Sequence, residues 1–131
     1  MPDPKTIRRA RKDAREGKSA STQAGEFVRE EMEHIREGKH GARSTKQAIA
    51  IGLSKARRSG VKLKAPKRAK ASTRRQAARD SRKGRSGRAA RPSGRRSRAT
   101  LRALKREGRA AASRKALSRQ ARDAARRRRS R

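Results

Sequence analysis

Large apolar side chains are concentrated in one stretch of this chain, and that restriction limits what can fold. Phe, Val, Met, Ile and Leu are concentrated in residues 27–66, whereas the sequence on both sides consists mainly of Arg, Lys, Ala and Ser. A segment with few large apolar residues buries too little surface to offset the conformational entropy lost on folding. The sequence therefore predicts one small apolar core with basic flanks that are largely disordered in the free protein.

The charge of the flanks points to the class of partner. The 131 residues include 44 Lys and Arg against 11 Asp and Glu, which gives a formal charge of +33. From residue 62 to the end, 29 basic residues stand against three acidic ones, a local charge of +26. A positive field of this size favours polyanions such as DNA and RNA. We therefore expect a nucleic-acid-binding protein.

Two helical patterns occupy the apolar stretch. Apolar residues recur at helical spacing over residues 22–37, and Gly38 is placed to end that helix. Ser44 and Gln47 have the spacing of a capping box at the start of a second helix, which Gly60 ends. The predicted fold is all-α, a small helical hairpin with largely disordered basic flanks.

The predicted organisation has four parts. Residues 1–20 form a basic N-terminal arm, residues 21–66 the helical hairpin, residues 67–97 a basic flexible linker, and residues 98–131 a basic tail rich in Ala and Arg. The tail lacks a wide apolar face, so it is expected to become helical only when phosphates neutralise its neighbouring like charges. Gly52 lowers helix propensity by about 1 kcal/mol relative to Ala, which suggests that another backbone approaches closely there.

The candidate binding residues are cations of the second helix and the flanks. Arginine makes bidentate phosphate contacts and enters narrow minor grooves. Base-specific reading is not expected, because a compact DNA-reading unit normally needs a third helix for its core. The predicted phosphate-binding residues are Lys46, Lys55, Arg57, Arg58, Lys62, Lys64, Lys67, Arg68, Lys70, Arg74, Arg75, Arg95, Arg96, Arg126, Arg127, Arg128 and Arg129.

Duplex DNA is favoured over RNA as the partner. Sequence-specific readers of single-stranded RNA stack bases on aromatic side chains, and this chain has one Phe and neither Tyr nor Trp. An RNA-associated or ribosome-associated basic protein is the alternative, because such proteins share this composition. The hairpin can also self-associate through its apolar residues, which are Phe27, Val28, Met32, Ile35, Ile49 and Leu53.

Other function classes are disfavoured. Cysteine is absent, and no serine has an evident oriented base, so no catalytic residue, cofactor or small-molecule substrate is expected. His34 and His40 do not share a helix face, and a third nitrogen or sulfur ligand is missing, so no metal site is expected. The sequence contains neither a signal-like apolar segment nor an apolar run of membrane-spanning length, which predicts a cytoplasmic protein with no membrane partner.

Residues 44–60 read STKQAIAIGLSKARRSG, and this string resembles a motif of small, very basic bacterial proteins that carry a domain of unknown function. The likeness extends over residues 27–66, about a third of the chain. It implies a DNA-associated, nucleoid-type protein without an assigned catalytic residue. Lys55 stands where the family pattern has Glu, which makes the second helix more basic than that pattern.

Overall fold

The computed structural model describes residues 2–86 and 94–130, and both ranges are mainly helical, with no strand in either. Within them the α-helices are α1 (Pro4–Arg15), α2 (Ala20–Arg36), α3 (Thr45–Arg58), α4 (Ala71–Arg85), α5 (Gly94–Lys105) and α6 (Arg114–Arg129), and a 3-10 turn (Ala110–Ala112) precedes α6. The all-α prediction is confirmed. The prediction of a small hairpin with disordered flanks is wrong, because α1, α4, α5 and α6 are ordered helices outside that hairpin.

The two helices predicted from the apolar stretch are present. Gly38 ends α2 with a φ of 78°, a left-handed conformation that glycine adopts without a steric penalty. The turn is closed by a 3.0 Å hydrogen bond from Lys39 N to His34 O, the pattern of a Schellman motif. At the start of α3, Oγ of Ser44 accepts a 3.1 Å hydrogen bond from Gln47 N. The local signals for helix ends were therefore sufficient to place this pair.

Packing divides the chain into two units. The first comprises Met1–Glu30 and Ile51–Arg91, and the second comprises Glu31–Ala50 and Pro92–Arg131. Helices α2 and α3 each contribute residues to both units. The apolar stretch is thus shared between two cores.

The core of the first unit forms around Phe27, which is 1% exposed. The buried cluster consists of Ala10, Ala24, Phe27, Ala56 and Val61, with Ile7, Ala20, Leu53 and Leu63 packed against it. Fully burying a Phe side chain contributes about 1.5–3 kcal/mol. Because Ile7 and Ala10 belong to α1, the N-terminal arm docks onto this core. The predicted disorder of the basic flanks did not anticipate these contacts.

Gly52 allows α3 to approach α2 closely within the first unit. A Cβ atom at Gly52 would lie 2.7 Å from Cα of Val28, which is shorter than any normal carbon contact. The close backbone approach predicted from this glycine is confirmed.

Asp80 holds α4 in the first unit. Its side chain is almost fully buried, with the residue 1% exposed, and it accepts hydrogen bonds from Ser54 Oγ at 2.8 Å and Gln76 Nε2 at 3.0 Å. The nearby Ala77 is also buried. The flexible linker predicted for residues 67–97 is wrong over α4, because a buried carboxylate and small side chains fix that helix. Residues 87–93 of the predicted linker lie outside the described ranges.

Hydrogen bonds to backbone carbonyl groups fix the C-terminal segment in the second unit. The four contacts that join residues 36–45 to residues 104–112 are Gly41 N to Leu104 O (2.8 Å), Ala42 N to Gly108 O (3.1 Å), Thr45 Oγ1 to Ala111 O (2.6 Å) and Arg36 Nε to Ala112 O (3.1 Å). Ala111 and Ala112 are buried. The tail is therefore ordered without a nucleic acid, because backbone groups and alanine methyls supply contacts that do not require a wide apolar face.

Candidate nucleic-acid interface

The predicted phosphate-binding residues are mostly exposed on helices or on the segment that follows α3. Among the seventeen, Lys55 is partly exposed and Arg57 is buried, and the other side chains are exposed. Residues from Arg58 to Arg75 belong to the first unit, whereas Lys46, Arg95, Arg96 and Arg126 to Arg129 belong to the second. The cations are thus presented by folded segments.

Arg57 is a structural residue. It is 7% exposed, and its guanidinium donates hydrogen bonds to Leu63 O and Lys64 O, both at 3.2 Å. Burial lowers the pKa of the Arg57 guanidinium from its ordinary value, and the negative charge of Asp80 opposes part of that change. The group stays protonated, as guanidinium groups in proteins do. This burial corrects the phosphate contact predicted for Arg57, which instead fixes the chain just after α3.

Acidic side chains are turned inward more often than basic ones. In the part of the chain that the structure describes, Arg57 is the one buried Lys or Arg, whereas the buried acids are Asp13, Glu30, Glu31 and Asp80. Asp13 still pairs with the exposed Lys18, and Asp80 with the exposed Arg58. Because more acids than Lys or Arg are buried, the exposed side chains of the described residues are richer in positive charge than the described residues as a whole.

Lys18, near the N terminus, lies close to two carboxylates. Its Nζ lies 3.2 Å from Oε2 of Glu16 and 3.4 Å from Oδ1 of Asp13. Hydrogen bonds to Glu16 and then to Asp13 raise the pKa of Lys18 above its ordinary value. These two carboxylates offset the charge of Lys18 locally, so it is a poor candidate for a phosphate contact.

Three predicted residues come together in the second unit. Lys46, Arg126 and Arg127 line one shallow surface depression, together with Asp123 and Ser130. Arg126 also forms an ion pair with Asp123. We call this feature the basic depression. Residues from the start of α3 and the end of α6 thus form one cationic surface, which sequence spacing alone did not indicate.

The helix positions of these cations distinguish two roles. Arg126 to Arg129 occupy the last turn of α6, where the helix dipole favours positive charge, so part of their placement serves the helix itself. Lys46 and the pair Arg95 and Arg96 lie near the starts of α3 and α5, where the dipole disfavours cations and neither first turn carries an acid. An anion bound near these two helix starts would relieve that unfavourable interaction.

Much of the apolar surface proposed for self-association is used inside the chain. Phe27, Met32 and Ile35 are buried in the fold of a single molecule. Val28, Ile49 and Leu53 are partly buried. Self-association stays a prediction, and it now depends mainly on the partly buried residues.

The two histidines lie close together, contrary to the reasoning from helix faces. His34 lies in α2, and His40 lies in the loop beyond it, where the chain turns back. One ligand atom from each of Glu31, His34 and His40 lies within 4.8 Å of the others. The Glu-x-x-His spacing of Glu31 and His34 is the signal that could have identified this cluster, because residues three apart share a helix face.

Comparisons with known proteins find a similarity to one family over part of the chain. In the described ranges, none of the helices combines the length and the apolar character needed to cross a bilayer. No curated protein and no solved structure gives a significant match to the chain. A family of unknown function (DUF6496) matches residues 15–69, from the end of α1 to the segment before α4. Over that part, less than half of its length, the chain is similar to a family of unknown function, which is consistent with the predicted domain of unknown function.

Proposed function

We propose that this protein binds the phosphate backbone of nucleic acids, with duplex DNA as its preferred partner, as a non-enzymatic architectural protein of the nucleoid. The observation that carries the proposal is the uneven burial of charge. Four acids but one Lys or Arg are inside the described fold, so the exposed surface is dominated by Lys and Arg. Such a surface attracts a polyanion at long range and contacts its phosphates at short range.

The ordered flanks change how binding would occur. A disordered cationic arm loses conformational entropy when it orders on its target. Helices α4, α5 and α6 are already formed, so the protein would present arginines at fixed spacing and lose less entropy on binding. Phosphate contacts of this kind set position on the duplex without reading its sequence.

The basic depression is the best-defined anion site within this surface. Lys46 and Arg127 line it, and Arg126 shares its charge with Asp123. These features support a phosphate contact at the depression.

Fluorescence anisotropy with a labelled duplex of random sequence tests the proposal. If about ten phosphates are contacted, log K should fall with log[salt] with a slope of roughly −9, a loss of about 10⁵ in affinity between about 50 and about 200 mM salt. Binding that persists at about 0.5 M salt would contradict a mode dominated by the phosphate backbone.

A matched pair of variants separates local contact from general charge. Substitution of Lys46, Arg126 and Arg127 by Gln should reduce the magnitude of the salt slope by about 2–3, because up to three phosphate contacts are lost. The control replaces Lys5, Arg8 and Arg11 by Gln, which removes the same charge from exposed positions of α1 outside the predicted set. Equal effects of the two triple variants on the salt slope would show that the basic depression is not part of the interface.

Competition distinguishes the RNA alternative. Unlabelled duplex DNA and unlabelled structured RNA, at equal mass, each compete with the labelled duplex for the protein. DNA should displace the labelled duplex at least as effectively as RNA. A clear preference for RNA would contradict the DNA assignment and favour an RNA-associated or ribosome-associated protein. The near absence of aromatic side chains supports the DNA assignment.

A further inference from the structure

We propose that Glu31, His34 and His40 form a binding site for one divalent transition-metal ion, with Zn²⁺ as the best match. The three residues lie in the second unit, and the proposal does not depend on nucleic-acid binding. Two imidazoles and a carboxylate form a ligand set that zinc accepts in proteins, with the fourth position left for water.

The spacing of the ligand atoms fits one ion after a small adjustment. His40 Nε2 and Glu31 Oε2 are 3.1 Å apart, and ligand atoms of tetrahedral zinc, each about 2.0–2.2 Å from the metal, lie about 3.4 Å from one another. The ligand atoms of the trio all lie within 4.8 Å of one another, so the widest gap closes by at most about 1.4 Å to reach the tetrahedral spacing. His34 is only partly buried, and rotation of its side chain can supply this movement.

The orientation of His40 is suited to metal binding. Its Nδ1 lies 2.8 Å from Gly41 O, and because a carbonyl oxygen only accepts hydrogen bonds, Nδ1 donates. In the neutral ring Nε2 then carries a lone pair that points toward the Glu31 carboxylate, so the two acceptors require a proton or a metal cation between them. A histidine ligand commonly donates its other ring nitrogen to a backbone carbonyl in this way.

Burial makes the cluster more than a chance surface group. Glu31 is fully buried at 0% exposure, and His40 is 8% exposed. Glu31 and His40 are therefore held inside the fold and not at its surface. The cluster also joins α2 to the loop that contains Gly41 and Ala42, whose amides bond to the segment preceding α6. A bound ion would therefore stabilise the attachment of the C-terminal helices.

The test uses untagged full-length protein stripped with a chelator and titrated with Zn²⁺. Because the chain contains two histidines, the imidazole NMR signals of His34 and His40 report any histidine coordination directly. The proposal predicts saturation at one ion per chain, shifts of both imidazole signals, and a rise in melting temperature with free Zn²⁺. Amide exchange of Gly41 and Ala42 should slow in the same titration.

His34→Gln is the decisive variant because the residue is only partly buried and its loss should leave the fold intact. It should weaken Zn²⁺ binding by at least about tenfold, and Glu37→Gln, an exposed control in the turn after α2, should leave it unchanged. Absence of saturable binding, or equal binding by wild type and His34→Gln, would overturn the proposal. The Glu31–His40 contact would then be a hydrogen bond of the fold and nothing more.

Discussion

Replacement of Asp80 by Ala tests whether α4 is part of a folded unit. The Asp80 carboxylate accepts hydrogen bonds from Ser54 Oγ and Gln76 Nε2 and lies 4.0 Å from Nε of Arg58. Ser54 belongs to α3 and Gln76 to α4, so this group joins the two helices. Removal of the carboxylate leaves both donors without their acceptor.

The expected loss follows from these contacts. Each hydrogen bond to a charged acceptor contributes about 1.5–3 kcal/mol, but water can replace part of it because Gln76 is exposed and Ser54 is half-buried. The ion pair with the exposed Arg58 adds at most about 1 kcal/mol. We therefore expect Asp80→Ala to lower the free energy of unfolding by about 3 kcal/mol. Asp80→Asn can keep both hydrogen bonds by reversing the Ser54 hydroxyl and should cost about 1 kcal/mol.

Urea unfolding followed by far-ultraviolet circular dichroism at constant salt measures these differences. Asp123→Ala is the control, because it also removes one acid from the C-terminal half, but from a largely exposed pair with Arg126. It should change the free energy of unfolding by at most about 1 kcal/mol. If Asp80→Ala costs no more than Asp123→Ala, α4 is not docked through Asp80 and the reasoning is refuted.

Other substitutions probe the close contacts in each unit. Gly52→Ala should lower the free energy of unfolding by about 1–3 kcal/mol despite the higher helix propensity of Ala, because the new Cβ meets the backbone of α2. In the control Gly25→Ala the new Cβ meets nothing within 4 Å, so the free energy of unfolding should rise by up to about 1 kcal/mol. Equal urea midpoints for the two variants would contradict the close approach. Gly41→Ala places a Cβ against the backbone of Glu107, so it should release the C-terminal segment and reduce helicity in circular dichroism; unchanged helicity would argue against that attachment. Thr45→Val removes the hydrogen bond to the backbone before α6 and should lower the urea unfolding free energy by about 1 kcal/mol, whereas no change would show that this bond contributes nothing.

The sequence predicted those parts of the fold that depend on local chemistry. Gly38 and the pair Ser44 and Gln47 fix helix ends through backbone geometry within a few residues, so their patterns were sufficient. Gly52 was also informative, because a glycine inside a helix has a propensity cost that a close contact can explain. These signals do not depend on distant parts of the chain.

Order in the flanks could not be predicted by counting large apolar residues. Helix α1 docks through Ile7 and Ala10, and the C-terminal segment is fixed largely through backbone atoms and buried alanines. Such contacts leave no amphipathic stripe in the sequence. Asp80, one of few acids in a basic segment, is the signal that could have indicated that α4 packs against another helix. Its carboxylate accepts hydrogen bonds from Ser54 and Gln76.

In the candidate site too, properties that depend on nearby residues were predictable and those that depend on tertiary structure were not. Exposure of most predicted cations follows from their charge, but the burial of Arg57 depends on carbonyl groups at Leu63 and Lys64. The meeting of Lys46 with Arg126 and Arg127 depends on tertiary structure. His40 approaches Glu31 only because the chain reverses after Gly38, so a test based on one helix face excluded the cluster.

The basic flanks are folded helices before any polyanion binds. Backbone chemical shifts of the free protein at low salt, measured by NMR, test this over residues 71–85 and 114–129. Helical Cα shifts are expected in both ranges, with little change when duplex DNA is added. Random-coil shifts in the free protein that become helical only with DNA would contradict this expectation.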